Sequence, residues 1–257
     1  MRDILERVAA GDLSPAAAEA ELRGFSTSEA GRFDAAREGR SGVPEAVLAA
    51  GKTPAETAAL AATSLETTGR TLVTRATDDH AAAVRQTLAD DHPEATVDRD
   101  ARARTLVAHA PDFEPRSLDA TVGVVTAGTS DAVPAGEAAV VVREMGATVE
   151  LTEDVGVAGI HRLFDALEDL RAADVLVVAA GREGALPTVL AGLVDTPIVG
   201  LPVSNGYGHG GEGAAALSGM LQSCTALSVV NIDAGFTAGA QAGLVARAVS
   251  AARGDES

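Results

Sequence analysis

Residues Asp174 to Val203 read D-V-L-V-V-A-A-G-R-E-G-A-L-P-T-V-L-A-G-L-V-D-T-P-I-V-G-L-P-V. Asp174 to Ala180 is a continuous apolar run without polar alternation, the pattern of a strand covered on both faces. Gly181-Arg182-Glu183-Gly184 punctuates it as a turn. Ala185 to Val194 reads as a helix, and Thr196 to Leu201 as the next buried strand. Buried strands alternating with helices predict a parallel sheet with helices on both faces, an α/β fold.

The same rhythm extends in both directions. Upstream, Val122 to Thr126 is a strand, Ala127 to Asp131 a turn and Ala132 to Met145 a helix. Ala147 to Leu151 and His161 to Leu170 repeat the strand and helix. Downstream, Ser204-Asn205 closes a strand and opens the glycine-dense loop Gly206 to Gly213. The helix-like segment Ala214 to Gln222 then leads to Cys224, and the β-like run Leu227 to Ile232 ends at Asp233 and another glycine loop. Ligands of such sheets sit beyond the carboxyl ends of the strands. The turns at Gly128, Gly181, Ser204 and Asp233 all fall there. Thr129, Ser130, Asp131, Arg182, Glu183, Gly184, Asn205, Gly206 and Asn231 are therefore candidate site residues. Glycine admits close backbone approach, and free N–H groups beside helix starts hold phosphate or carboxylate.

The first part of the chain reads differently. Asp3 to Ala10 is a short helix, and Ser14-Pro15 is an N-cap and first helical residue for a second one that stops near Gly24. Phe33 to Glu45 reads as irregular. Thr53-Pro54 starts a helix running to Thr68. Thr71–Thr74, Ala95–Asp98 and Arg104–His109 are short strands around a helix from Asp78 to Leu88, which makes a small α/β layer. Two prolines and acids in A-P-D-F-E-P (110–115) mark a linker. The expected division is 1–115 and 116–257. Lys52, one residue before a helix start, could neutralise an anion.

The chain has 257 residues, 46% hydrophobic and only 2% aromatic, so its core is built from Ala, Val and Leu. The net charge of −17 argues against nucleic-acid binding through a basic face. Lys52 is the only lysine among 20 basic residues. Acid-rich, lysine-poor composition fits concentrated salt, and GC-rich coding favours the same bias. One cysteine excludes an intramolecular disulfide and fits a reducing cytoplasm. No apolar signal core and no membrane-spanning run is expected.

Residues Thr121 to Arg247 resemble the PurE family of aminoimidazole ribonucleotide carboxylases and mutases, through V-T-A-G-T-S-D (125–131), A-G-R-E-G-A-L-P (180–187) and T-P-I-V-G-L-P-V (196–203). That resemblance implies a three-layer, flavodoxin-like domain in which the Ser-Asp pair holds substrate and a histidine before Leu-Pro does acid–base work. Ala185 stands at the histidine position. The whole chain is more similar to the LarB family. The matching features are D-A-A-R-E-G-R-S-G-V-P-E (34–45), G-K-T-P (51–54), A-G-R-E-G-A-L-P, N-G-Y-G-H-G-G-E-G (205–213), L-Q-S-C (221–224) and V-N-I-D-A-G-F (230–236).

The LarB resemblance implies the first step of nickel-pincer nucleotide synthesis, for a lactate racemase-like enzyme. Nicotinic acid adenine dinucleotide would be carboxylated by carbon dioxide at pyridinium carbon 5, and its phosphoanhydride cleaved to release AMP. It also implies Glu183 as the acid–base carboxylate. Asp34, Arg37, Arg40, Glu45 and Lys52 would stand at the nucleotide, in a homo-octamer with sites near subunit contacts. The chemistry asks for a thiolate that adds to the ring and leaves again, and Cys224 is the sole candidate. Phosphoanhydride cleavage calls for magnesium or basic side chains, and magnesium held through phosphates leaves no ligand signature. The competing expectations are a purine-type mutase and a non-catalytic nucleotide-binding protein.

Overall fold

The computed structural model describes residues 2–28 and 30–255. Met1 and residues 256–257, which bound the expected domains, lie outside them. The chain forms two compact units that divide between Glu114 and Pro115.

In the first unit, α1 (Arg2–Ala10) and α2 (Pro15–Arg23) precede a two-stranded antiparallel ribbon, β1 (Ser26–Ser28) and β2 (Gly31–Phe33). The Ser14 hydroxyl caps α2 by accepting from the Ala17 N–H, and Gly24 closes the helix in the left-handed region. The segment read as irregular contains a helical turn, α3 (Arg37–Ser41), closed by left-handed Gly42. Then follow β3 (Val47–Leu48), α4 (Pro54–Thr68), β4 (Arg70–Thr74), α5 (Asp78–Asp91), β5 (Thr96–Asp100) and β6 (Thr105–His109). The sheet order is β3-β4-β6-β5, parallel only between β3 and β4. Thr53 starts α4 with a full capping box to Glu56, as its T-P-A-E spacing dictates. One core joins Val47, Val73 and Leu106 of the sheet to Ala61 and Leu65 of α4 and Val84 and Leu88 of α5.

The second unit is a five-stranded, wholly parallel sheet: β7 (Thr121–Thr126), β8 (Thr148–Thr152), β9 (Val175–Ala180), β10 (Ile198–Pro202) and β11 (Ser228–Val229). The order β8-β7-β9-β10-β11 is the flavodoxin-like one. The connecting helices are α6 (Ala132–Glu144), α7 (Ile160–Asp165), α8 (Leu167–Ala172), α9 (Ala185–Ala191), α10 (Ala214–Leu221) and α11 (Gly235–Asp255). All six residues of β9 are buried. Val175, Val177 and Ala179 join a core with α6 and α11, whereas Leu176, Val178 and Ala180 join another with α7 to α10. The strand pleat thus feeds alternate side chains to two helix layers. Each fully buried Val or Leu contributes about 1.5–3 kcal/mol.

Four expectations for this unit need correction. The helix read over His161–Leu170 divides into α7 and α8 at Ala166, where ψ of −4° lifts one residue out of α geometry. The helix from Ala185 stops at Ala191. The run Leu227–Ile232 pairs only at Ser228 and Val229, as an edge strand on β10. The residues after Asp233, read as a glycine loop, begin the 21-residue helix α11.

Glycine is a poor helix former, but here its spacing serves packing. Gly235, Gly239 and Gly243 recur every fourth residue, on one face of α11. Side chains there would lie 2.2 Å from the Pro134 carbonyl, 2.5 Å from the Ala138 carbonyl and 2.4 Å from the Met145 sulfur, all three beside or on α6. Backbone-to-backbone approach replaces side-chain interdigitation along this seam. Gly239→Ala should therefore lower the unfolding free energy by about 1–3 kcal/mol through overpacking. Gly254→Ala, where a methyl group meets nothing within 4 Å, should leave stability unchanged or slightly raised. Urea denaturation of the two variants is the measurement.

Candidate functional site

The carboxyl ends of the parallel strands are stitched by backbone hydrogen bonds. Ala127 N–H donates to the Ala179 carbonyl, Val155 to Thr126, Val203 to Ala180 and Asp233 to Pro202, at 2.9–3.1 Å. These bonds set the turns after β7, β8, β9 and β10 side by side. Between them lies a cavity of about 300 Å³.

Its wall takes Gly128, Ser130 and Asp131 from the first turn, Gly156, Val157 and Ala158 from the second, and Arg182, Glu183 and Ala185 from the third. Asn205 comes from the fourth. Asp131 is 2% exposed. Its carboxylate accepts the Gly128 N–H at 2.8 Å and the Asn205 side-chain amide, and the Ala127 and Gly181 amides face it. Asn205 also donates to the Ser130 hydroxyl at 2.7 Å. Burial nevertheless outweighs these donors and pushes the Asp131 pKa above the ordinary 3.8. Gly181 is the residue that lets Asn205 in: a Cβ at that position would lie 1.7 Å from the Asn205 amide oxygen. Arg182 adopts a left-handed φ of 52° and lays its guanidinium on the Tyr207 ring, 3.8 Å from the centroid.

The remaining candidates take other places. Thr129 stands in the 3-10 turn before Asp131, outside the wall. Gly184 has φ of 66° and packs on the Ala216 carbonyl. Ser204 N–H donates to Asp233 at 3.0 Å, tying the fourth turn to the fifth. Gly206 lies over the Arg182 backbone, and the Asn231 side chain accepts from the Ile232 N–H. Cys224 is exposed and free between α10 and β11, and it is not part of the cavity wall. Gly219 of α10 packs on the Glu183 carbonyl, so the helix that carries the cysteine onward touches the turn after β9. His209 is exposed and also outside the wall.

In the first unit the candidates pair among themselves. Arg40 binds Asp34 through two hydrogen bonds of 3.0 and 2.7 Å, which hold the Asp34 carboxyl below its ordinary pKa. Arg37 binds Glu45 at 2.9 Å, and the Lys52 ammonium donates to the Leu48 carbonyl at 2.6 Å. Among the described residues, no three of His, Cys, Asp and Glu gather where they could cage a metal. Nor does any helix among them have the length and apolarity to cross a membrane.

The turn after β8 was missed in the sequence. Its signal was V-G-V-A-G (155–159), which follows a strand end as the other turns do. Gly156 is required there because a Cβ would meet the Ala127 carbonyl at 2.5 Å.

Residues 121–256 match the AIR carboxylase family, which defines a carboxylase-type enzyme with a PurE-like catalytic domain. Residues 25–110 match the LarB/PurE-like N-terminal domain. The chain belongs to the LarB family, and its coarse implications are a nucleotide substrate and use of carbon dioxide. An uncharacterised protein of Methanocaldococcus jannaschii, MJ0165, is 36% identical over 258 residues, spanning 96% of this chain and 97% of that one.

The raised pKa of Asp131 has a definite sign. Between 3.8 and that higher value, the folded carboxyl keeps a proton that the unfolded one has released. The group's stabilising contribution is therefore full below 3.8 and lost as pH rises through the folded pKa. Asp131→Asn removes the titration. The stability of the wild type relative to this variant should fall as pH rises through that window, measured by urea denaturation.

Proposed function

We propose that this protein is the carboxylase that begins synthesis of a nickel-pincer nucleotide. Nicotinic acid adenine dinucleotide is its substrate. The products are AMP and pyridinium-3,5-biscarboxylic acid mononucleotide, destined for a lactate racemase-like enzyme. The observation that carries this reading is the third turn of the cavity: Glu183, the acid of that turn, is a wall residue, and Ala185 leaves no imidazole beside it. A purine-type mutase needs that imidazole. A pyridinium ring needs a base for one carbon-bound proton.

A pyridinium carbon meta to nitrogen is electron-poor and does not attack carbon dioxide. Addition of the Cys224 thiolate to the neighbouring ring carbon forms a C–S bond and sends a π pair to the ring nitrogen. Carbon 5 is then the β-carbon of an enamine and forms a C–C bond to carbon dioxide. Glu183 takes the proton from carbon 5, and the released pair expels the thiolate and restores aromaticity. Exposure of Cys224 suits a nucleophile, but one chain leaves the sulfur off the cavity wall. In the homo-octamer we propose, Cys224 serves the cavity of a neighbouring copy.

Water cleaves the phosphoanhydride. Magnesium, carried on the phosphate oxygens, supplies charge neutralisation when bound. No residue is assigned as its ligand. In the first unit, Arg37, Arg40 and Lys52 are the proposed nucleotide contacts, ordered in advance by their pairs with Glu45, Asp34 and the Leu48 carbonyl. The acidic surface suits a concentrated-salt cytoplasm.

Mass spectrometry of the mixture from nicotinic acid adenine dinucleotide, bicarbonate and magnesium should show AMP and a mononucleotide heavier by one carboxyl group. Cys224→Ser should abolish the carboxylated product and leave dinucleotide binding. Carboxylated product from the pure variant would overturn the covalent route. Unfolding and refolding Cys224→Ser together with Glu183→Gln should regain activity that neither variant has alone. Mixed assemblies that stay inactive would place sulfur and carboxylate on one subunit.

A further inference from the structure

Tyr207 is the only tyrosine in a chain without tryptophan, and it is 76% exposed. Phe164 is also exposed, at 53%, so exposure alone does not single Tyr207 out; its contact with a residue of the cavity wall does. One face of this ring is already in use. The Arg182 guanidinium lies 3.8 Å from its centroid, and Arg182 lines the cavity. A guanidinium is a planar, delocalised, weakly hydrated cation, and it stacks where other planar cations can. Arg182 reaches the ring from a left-handed backbone, φ 52°, a conformation unfavourable for any residue with a side chain. Tyr207 is carried on a loop that turns through left-handed Gly208 and Gly210.

We propose that Tyr207 is the stacking platform for the ligand's ring, that the ring it takes is an N-alkylated pyridinium, and that Arg182 is the placeholder on its face. The inference rests on the reading above and deepens it by naming the charge state the site selects. The ring nitrogen's positive charge replaces that of the guanidinium, so the platform exchanges one planar cation for another. The displaced Arg182 is then available to oxyanions of the same ligand. A neutral pyridine or dihydropyridine makes no such exchange and binds more weakly.

Because the protein has a single tyrosine and no tryptophan, its ultraviolet emission reports on this ring alone. N-methylnicotinate should quench that emission saturably. Nicotinate, whose ring nitrogen is uncharged at neutral pH, should need roughly tenfold more, the scale of one cation–π contact. By calorimetry, Tyr207→Phe should bind N-methylnicotinate as the wild type does, and Tyr207→Leu about tenfold more weakly. Arg182→Ala should bind N-methylpyridinium, which offers no oxyanion to the displaced guanidinium, severalfold more tightly, as expected for loss of a competitor. Equal binding of N-methylnicotinate and nicotinate, absence of quenching, unchanged binding by Tyr207→Leu or weakened N-methylpyridinium binding by Arg182→Ala would each overturn the proposal. Quenching by N-methylnicotinate in a protein that makes no carboxylated product keeps the platform and discards the reaction. Carboxylation with an unchanged KM in Tyr207→Leu does the reverse.

Discussion

Asp131 sits almost without solvent at the point where the chain leaves β7 for α6. A charge there is unfavourable unless donors surround it, and the donors come from separate parts of the sequence. The Gly128 amide belongs to its own turn, the Gly181 amide to the turn after β9, and the Asn205 side chain to the turn after β10. The last two contacts demand that a distant strand end be in place. The carboxylate is thus the tie that converts adjacent strand ends into one cavity wall. Gly181 must lack a side chain for the Asn205 amide to reach it.

The rest of the second unit supports that tie by close approach rather than by bulk. With no tryptophan and 2% aromatic residues, its layers are filled with alanine, valine and leucine. Small side chains bring helices near to strands and to one another, and the glycine seam between α6 and α11 is the extreme case. Interiors of this kind tolerate little added volume. A sheet with both faces tightly covered holds its strand ends still, which is what a pre-formed site requires.

The parallel sheet was legible because β7, β9 and β10 are apolar-rich runs, and Val175–Ala180 is buried at every position. The strand-end turns at Gly128, Gly181 and Ser204 followed from the same rule. α11 was illegible because Gly235, Gly239 and Gly243 signal loop when propensity is read alone, and only α6 explains their spacing. The cysteine's chemistry could be read from its being unique, but its distance from the cavity wall could not. Placing it needs the path from α10 to β11, and that path is set by tertiary packing. The pairs Arg40 with Asp34 and Arg37 with Glu45 join residues only six and eight positions apart, yet the irregular composition of that stretch hid the helical turn between them.

The position of α11 in the sequence bears on how the unit is made. The face of the sheet covered by α7 to α10 has all its helices before residue 222, but the opposite face needs α6 and α11 together. During vectorial synthesis Val122, Val124, Val175 and Val177 therefore stay half-covered until Ala238, Ala242 and Ala246 leave the ribosome. The nascent second unit presents a one-sided sheet until then, and its final packing step waits for a helix whose seam glycines lower its own propensity.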